Sequence, residues 1–418
     1  MKRLTFFFAL LTMVIGAQAQ DFTTIYGKVQ DSKTDKPIVY ASVAIEGSNI
    51  SVITNSDGFF SLKVPSETPS DAQISVSYLG YATISNTLLE FQKSTADKPF
   101  LIPLTAQAIL IQAATINSSD AKDIVNYAFS KVKDNYSNQY ETMVGFYREM
   151  VIKGNNKYLS MIEAILDISK APYQNVFSID KAQIFKGRGS TDYSGKDSLF
   201  VQVQGGIASA LSLDVAKDPF VGVYPVDMHQ TYRFSLDGIT QIDSKDYYIV
   251  SFNEKEPKPE TPLYRGKLYI QTESYAIGRI DYYRNVEDNN NALKYFIKEY
   301  PKNSKIAVNE AHFTLDFKQA EDNLYHFNYC RMEVSFTSYR KISLFSTKYN
   351  VVSEMAVTDH YPEKTQIDNK SRVKLSDITS STLESFTDEN FWGSYNVIEP
   401  DKSIDVIINK IIKQLKRR

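Results

Sequence analysis

The sequence predicts a mainly β protein: a small N-terminal β-sandwich, then a larger antiparallel β-sheet domain with an N-terminal and a C-terminal helix. Three observations carry this. Between Thr23 and Thr105, short strand-like runs alternate with turn residues at close, regular spacing, the pattern of an all-β sandwich. Beyond residue 140 the runs lengthen and follow one another through polar turns, as in an antiparallel meander. Helical periodicity is confined to a stretch before the meander and another at the C-terminus.

The first segment precedes the fold. In "MKRLTFFFALLTMVIGAQAQ", Lys2 and Arg3 form a positive n-region, Leu4 to Ile15 an apolar h-region, and Ala17-Gln18-Ala19 an A-x-A cleavage site. Residues 1–19 therefore read as a signal peptide, with Gln20 the new N-terminus. The apolar run is too short for a span, and no later stretch approaches the ~20 apolar residues one needs. Export to the periplasm or the periplasmic face of the outer membrane is the expectation. Of 418 residues one is cysteine, Cys330, which rules out an intramolecular disulfide and reads as a small buried hydrophobe. Cleavage takes two positive charges from 47 and none from 49 negative, moving the formal net charge from −2 to −4. A weakly acidic chain without basic runs gives no footprint for nucleic acid.

Residues 20–106 form the sandwich segment. "SLKV" and "SVAI" alternate as strands with one buried and one wet face. "TNSDGFFSLKVP" reads as a hairpin, with Asp57-Gly58 supplying the backbone freedom of a tight turn. A metal loop would need more oxygen ligands than Asp57, Asn55 and Ser56 provide. "YGKVQDSKTDKPIVYASVAIEGSNISVITNSDGFFSLKVP" with "ISVSYLGYAT" resembles the carboxypeptidase regulatory-like domain, a transthyretin-like β-sandwich. The resemblance rests on Gly27, Val29, Pro37, Ala41, Ser42, Val43, Thr54, Gly58, Phe60, Gly80 and Tyr81. It implies an accessory, non-catalytic module, similar to the N-terminal extension of TonB-dependent receptors.

The remainder departs from both parents. "HYPE" sets His360 three residues before Glu363, satisfying H-x-x-E, but no histidine follows and Pro362 intervenes. A catalytic zinc site needs a third ligand, so no metal and no cofactor are expected. H-E-x-x-H, G-x-S-x-G and P-loop patterns do not occur.

After a linker or edge strand over 107–119, residues 120–418 read as the larger domain. "SSDAKDIVNYAFSKVKDNY" predicts an amphipathic helix with Ser119 or Asp120 as N-cap and Ile124, Ala128 and Val132 on one face. "TMVGFYREMVIK" and "YLSMIEAILDIS" flank the turn "GNNK" and open the meander. Within it, "YRGKLYIQTESYAIGRIDYY" is similar to a pattern of lipoprotein-carrier proteins, whose half-open sheet wraps a hydrophobic cavity.

Two segments stand out as functional candidates. Residues 205–229 are apolar yet broken by glycine and proline, the make-up of a core cover, a lid or a partner surface. Ile207, Leu211, Phe220, Val223 and Tyr224 are its candidate contact residues. At the C-terminus, Ile404, Ile408, Ile411 and Leu415 lie on one helical stripe ending in Lys413, Lys416, Arg417 and Arg418. That stripe suits packing on the sheet, with Trp392 and Tyr395 pinning the approach, or peripheral attachment to anionic membrane. The F-W-G-x-Y-N-x-I-x-P ending combined with the N-terminal sandwich resembles a family of exported gram-negative proteins, which implies a cell-envelope home. The functional expectation is a non-enzymatic envelope protein that binds or scaffolds a protein partner. A carrier of lipid or another hydrophobic ligand is the first alternative, and a hydrolase with a dispersed site the second.

Overall fold

The computed structural model describes residues 22–107, 118–191 (save 155, 156 and 176), 202–203, 206–217, 228–256, 263–299, 304–340, 346–361, 367–373, 391–401, 404, 406, 408 and 409. The N-terminal unit is a sandwich of two sheets. One has the order β4 (Phe59–Pro65), β1 (Phe22–Asp31), β7 (Phe100–Leu104), and the other β3 (Ser51–Ile53), β2 (Ser42–Ile45), β5 (Gln73–Ser77), β6 (Ile84–Thr87). A single-turn helix, α1 (Leu88–Phe91), follows β6. Alternate residues of each sheet, among them Ile25, Val29, Phe60, Leu62, Val43 and Val76, fill the space between the sheets with Phe91 and Ile102.

The turn at Asp57-Gly58 is tight, but it is not a hairpin. Its flanking strands, β3 and β4, belong to different sheets, so the turn carries the chain across the sandwich. Asn55 Oδ1 accepts from the Asp57 and Phe59 amides, and Gly58 N donates to Asn55 O at 2.9 Å. Gly58 sits at φ +74°, where a Cβ would also meet Val29 O at 2.4 Å. Gly58→Val is therefore expected to lower stability by at least the roughly 1–3 kcal/mol of a strained backbone. Urea unfolding of the full chain checks this, and an unchanged midpoint would contradict it.

The larger unit is a ten-stranded sheet, antiparallel throughout. Its order runs β10 (Lys181–Thr191), β9 (Lys157–Lys170), β8 (Glu141–Lys153), β19 (Ser346–Tyr361), β18 (Tyr325–Arg340), β17 (Ser304–Gln319), β15 (Ile277–Arg284), β14 (Tyr264–Gln271), β13 (Lys245–Glu254), β12 (Tyr232–Ile242). A separate two-strand ladder pairs β11 (Gln202–Val203) with β16 (Ile297–Glu299). The "GNNK" turn joins β8 to β9 with Lys153 opposite Lys157.

One face of the sheet carries the main core. Helix α2 (Ser118–Ser130) buries Ala121, Val125 and Ala128 there, and the one-turn α3 (Val132–Asn135) adds Val132. Because α2 begins at Ser118, Ser119 and Asp120 lie inside its first turn rather than at the cap. Short helices α4 (Gly206–Ser212), α5 (Met228–Thr231) and α6 (Asn289–Phe296) lie between the strands. Cys330 is buried in this core, its Sγ 3.6 Å from Ala210 O.

The opposite face is covered by the sandwich and by the segment after residue 390. Ile53 and Tyr40 of the sandwich join Phe146, Ile165, Tyr329, Phe391, Trp392, Val397 and Ile398 in one cluster. Trp392 meets Phe146 edge-on at 5.7 Å. Beneath this cover lies a closed charge network. Glu163 accepts from Arg148 at 2.7 Å and from Arg188 at 2.8 Å, while Glu354 meets Arg331 at 3.0 Å and Arg148 at 3.4 Å. Arg148 also donates to Ile398 O at 2.7 Å, which fastens the C-terminal segment to the sheet.

Candidate functional site at the domain junction

Where β8 begins and β19 ends, three side chains with metal-binding chemistry converge: Glu141, His326 and His360. Glu141 opens β8, His326 is the second residue of β18, and His360 lies one residue from the end of β19. The strands run antiparallel, with His360 opposite Met143 in the β19–β8 ladder. Each histidine strand carries a bulge beside its histidine. Thr358 is the extra residue of β19 between Val357 and Asp359, and Asn328 that of β18 between Tyr329 and Phe327. A bulge moves the side chains beyond it off the face that strict alternation would give them.

His326 Nδ1 lies 3.2 Å from Glu141 Oε2, and His360 Nε2 lies 3.4 Å from the same oxygen. The two rings stand 4.3 Å apart at 50°. On its other side, His326 Nε2 reaches both carboxylate oxygens of Asp322 at 3.2 Å. Asp322 sits in the tight β17–β18 turn, where Asn323 takes φ 63°. Burial works against ionisation of Glu141, yet the imidazoles beside it hold its carboxyl down at about 2. Burial likewise opposes charge on His326, and Glu141 and Asp322 overcome it and raise its pKa.

The sandwich roofs this cluster. Its β2–β3 turn brings Asn49 Nδ2 to His360 O at 2.7 Å and Ser51 Oγ to Val357 O at 3.4 Å. A cavity of about 60 Å³ remains, lined among others by Asn49, Ser51, Lys318, Gln319, His326 and His360. The sequence pairs His360 with Glu363, which lies outside the described residues; the fold brings His360 to His326 and Glu141 instead. The signal that was available was four histidines in a β-rich chain. Which of them meet depends on strand register.

The other sequence candidates lie elsewhere. Ile207 and Leu211 are buried in the main core, on α4, where they lie between helix and sheet. Phe220, Val223 and Tyr224 lie outside the described residues. The C-terminal stripe begins as a helix capped by Asp401, whose Oδ1 accepts from Ile404 N at 2.8 Å. Ile404 is buried against Met150, Met161 and Val352, and Ile408 packs half-buried beside them. Ile411 and Leu415 lie outside the described residues. Sequence reasoning passed over three exposed apolar side chains. Phe177, 93% exposed, and Ile179 stand on the β9–β10 connection, and Phe185 projects from the edge strand β10. No helix among the described residues is long and apolar enough to cross a membrane.

No curated protein matches the chain in sequence. Among solved structures it is similar to an outer-membrane lipoprotein-sorting protein domain from Vibrio parahaemolyticus. The two are 10% identical, with 61% of this chain and 96% of that one covered and a TM-score of 0.26. It is also similar to a LolA superfamily protein from Nitrosomonas europaea at 12% identity, with 60% and 97% covered and a TM-score of 0.24. Residues 25–111 match the family model of the CarboxypepD_reg-like domain, and the N-terminal sandwich is a domain of that kind.

Proposed function

We propose that this is a non-enzymatic cell-envelope protein that binds or scaffolds a protein partner at the periplasmic side of the outer membrane. The observation that carries the reading is the exposure of Phe177 and Ile179 two positions apart on one connection, with Phe185, exposed beside Tyr395, on the edge strand it enters. Exposed apolar side chains gathered in one region mark interaction surfaces, whereas single ones do not. The charged residues in the middle of the sheet support a structural role, since Arg148, Glu163 and Glu354 are paired and covered. The leader sequence supports export. A carrier would need an open apolar face, and α2 and α4 cover one face of the sheet over the described strands with Val125, Ala128, Ile207 and Leu211.

Replacing Phe177 with a photo-crosslinking phenylalanine in the native envelope tests the reading. A discrete protein adduct is expected, and none from the same probe at Leu89, an exposed apolar site on the sandwich. Lipid adducts alone would favour the carrier, and no adduct at Phe177 would remove the partner surface.

A further inference from the structure

We propose that Glu141, His326 and His360 form a binding site for a divalent transition-metal cation of the zinc class. All three donor atoms lie within 4.8 Å of one another. In a tetrahedral zinc shell with bonds of about 2.0–2.2 Å, neighbouring ligand atoms stand roughly 3.3–3.5 Å apart. The separations of 3.2 and 3.4 Å from Glu141 Oε2 to the two imidazole nitrogens match that edge. Closing the remaining edge takes side-chain rotation. Two imidazoles with one carboxylate favour zinc and its transition-metal neighbours over magnesium or calcium, which take oxygen shells.

A simple ion pair explains only part of this arrangement. Glu141, His326 and Asp322 already make a satisfied carboxylate–imidazolium–carboxylate series. His360 is then superfluous. Its Nε2 is buried and points at an oxygen His326 already occupies, without hydrogen-bond geometry to any partner. A cation between the three atoms gives that nitrogen a bond where it now has only the 3.4 Å contact with Glu141 Oε2.

The surroundings fit as well. Asp322 on the far nitrogen of His326 fixes the tautomer that turns Nδ1 toward the metal, the usual outer-shell arrangement of a metal-bound histidine. Glu141 and Asp322 together supply two negative charges for a divalent ion. Lys318 also lines the cavity, where burial disfavours its charge and lowers its pKa against the opposing pull of Asp243 and Glu46. Three protein ligands leave a fourth position, and the cavity beside His326 and His360 has room for a water there.

The test uses the full mature chain, stripped with a chelator and titrated with zinc sulfate by calorimetry. One saturable site per chain is expected, with no comparable binding of magnesium. His360→Ala spares the Glu141–His326–Asp322 series and is expected to abolish saturable binding while circular dichroism stays unchanged. Asp322→Asn is expected to weaken zinc about ten- to a hundredfold, as loss of an outer-shell partner does. His312→Ala, a histidine stacked on Tyr283 away from the cluster, is expected to change nothing. No saturable zinc in the folded wild-type chain would overturn the proposal. So would undiminished affinity in folded His360→Ala, or equal affinity for magnesium. Should His360→Ala fail to fold, Asp322→Asn decides, and unchanged affinity there overturns the assignment.

Discussion

Glu163→Leu is expected to cost about 3–5 kcal/mol of folding stability, the usual penalty for removing one partner of a buried charge pair. Glu163 is fully buried and receives two guanidinium groups, Arg148 at 2.7 Å and Arg188 at 2.8 Å. Without it, both cations stay beneath the sandwich and the C-terminal segment, and Arg148 keeps Glu354 at 3.4 Å and the Ile398 carbonyl at 2.7 Å. The leucine adds apolar contact, but it cannot solvate two buried charges. The loss would be a large share of the ~5–15 kcal/mol that holds a typical domain together. Glu333→Gln is the internal control: it pairs with Arg331 but is 43% exposed, so water takes over much of the lost interaction. Urea denaturation of both variants checks the contrast. A Glu163→Leu protein within 1 kcal/mol of wild type would mean that the network is far more hydrated than its burial implies.

That network also marks the limit of what strand patterning reveals. Alternation exposed the strands themselves, and the sandwich carried a recognisable order of glycine, proline and turn residues. Arg148, Glu163 and Glu354 are single charges among apolar neighbours on the same side of their strands, such as Phe146, Ile165 and Ala356, and a sequence reading assigns such charges to water. Covering that face takes Tyr40 and Ile53 from one end of the chain and Trp392 and Ile398 from the other. Nothing local to β8, β9 or β19 signals this. The Asp57-Gly58 turn is a similar case. Its glycine was legible because a tight turn needs positive φ, whereas the assignment of β3 and β4 to different sheets depends on distant partners. The junction cluster was the least legible of all. His326 and Glu141 are 185 positions apart, and two bulges set where the histidines point. A reading based on H-x-x-E spacing therefore paired His360 with Glu363, three positions on.

Lys170→Met is expected to loosen the cover over the core as well as destabilise the fold, by about 3–5 kcal/mol on the same reasoning. Lys170 closes β9 in a buried position, with its ammonium between Asp180, at 2.6 Å, and Asp214. Asp214 follows α4, so this ion pair ties the Ile207–Leu211 cover to the sheet, helped by Tyr173 at 2.8 Å. Methionine fills the space but leaves two buried carboxylates with hydrogen bonds from Tyr173, Ala171 N and Ala216 N and, for compensating charge, Lys217, which reaches Asp180 at 2.9 Å. Amide exchange over 206–217 should then quicken more than exchange in β18 and β19, because local opening of the cover becomes easier than global unfolding. Acid should act along the same route. Burial pushes the Asp180 carboxyl up, but Lys170 and Lys217 outweigh it and hold its pKa below the ordinary value. Its contribution is therefore fully present above the unfolded carboxylate pKa of about 3.9 and is lost as pH falls through the lower folded value. In Lys170→Met that acid-side loss should shrink, since the main charge holding Asp180 down is gone. Uniform exchange across cover and sheet, with an unchanged acid limb, would show that Lys170 is not what fastens the cover.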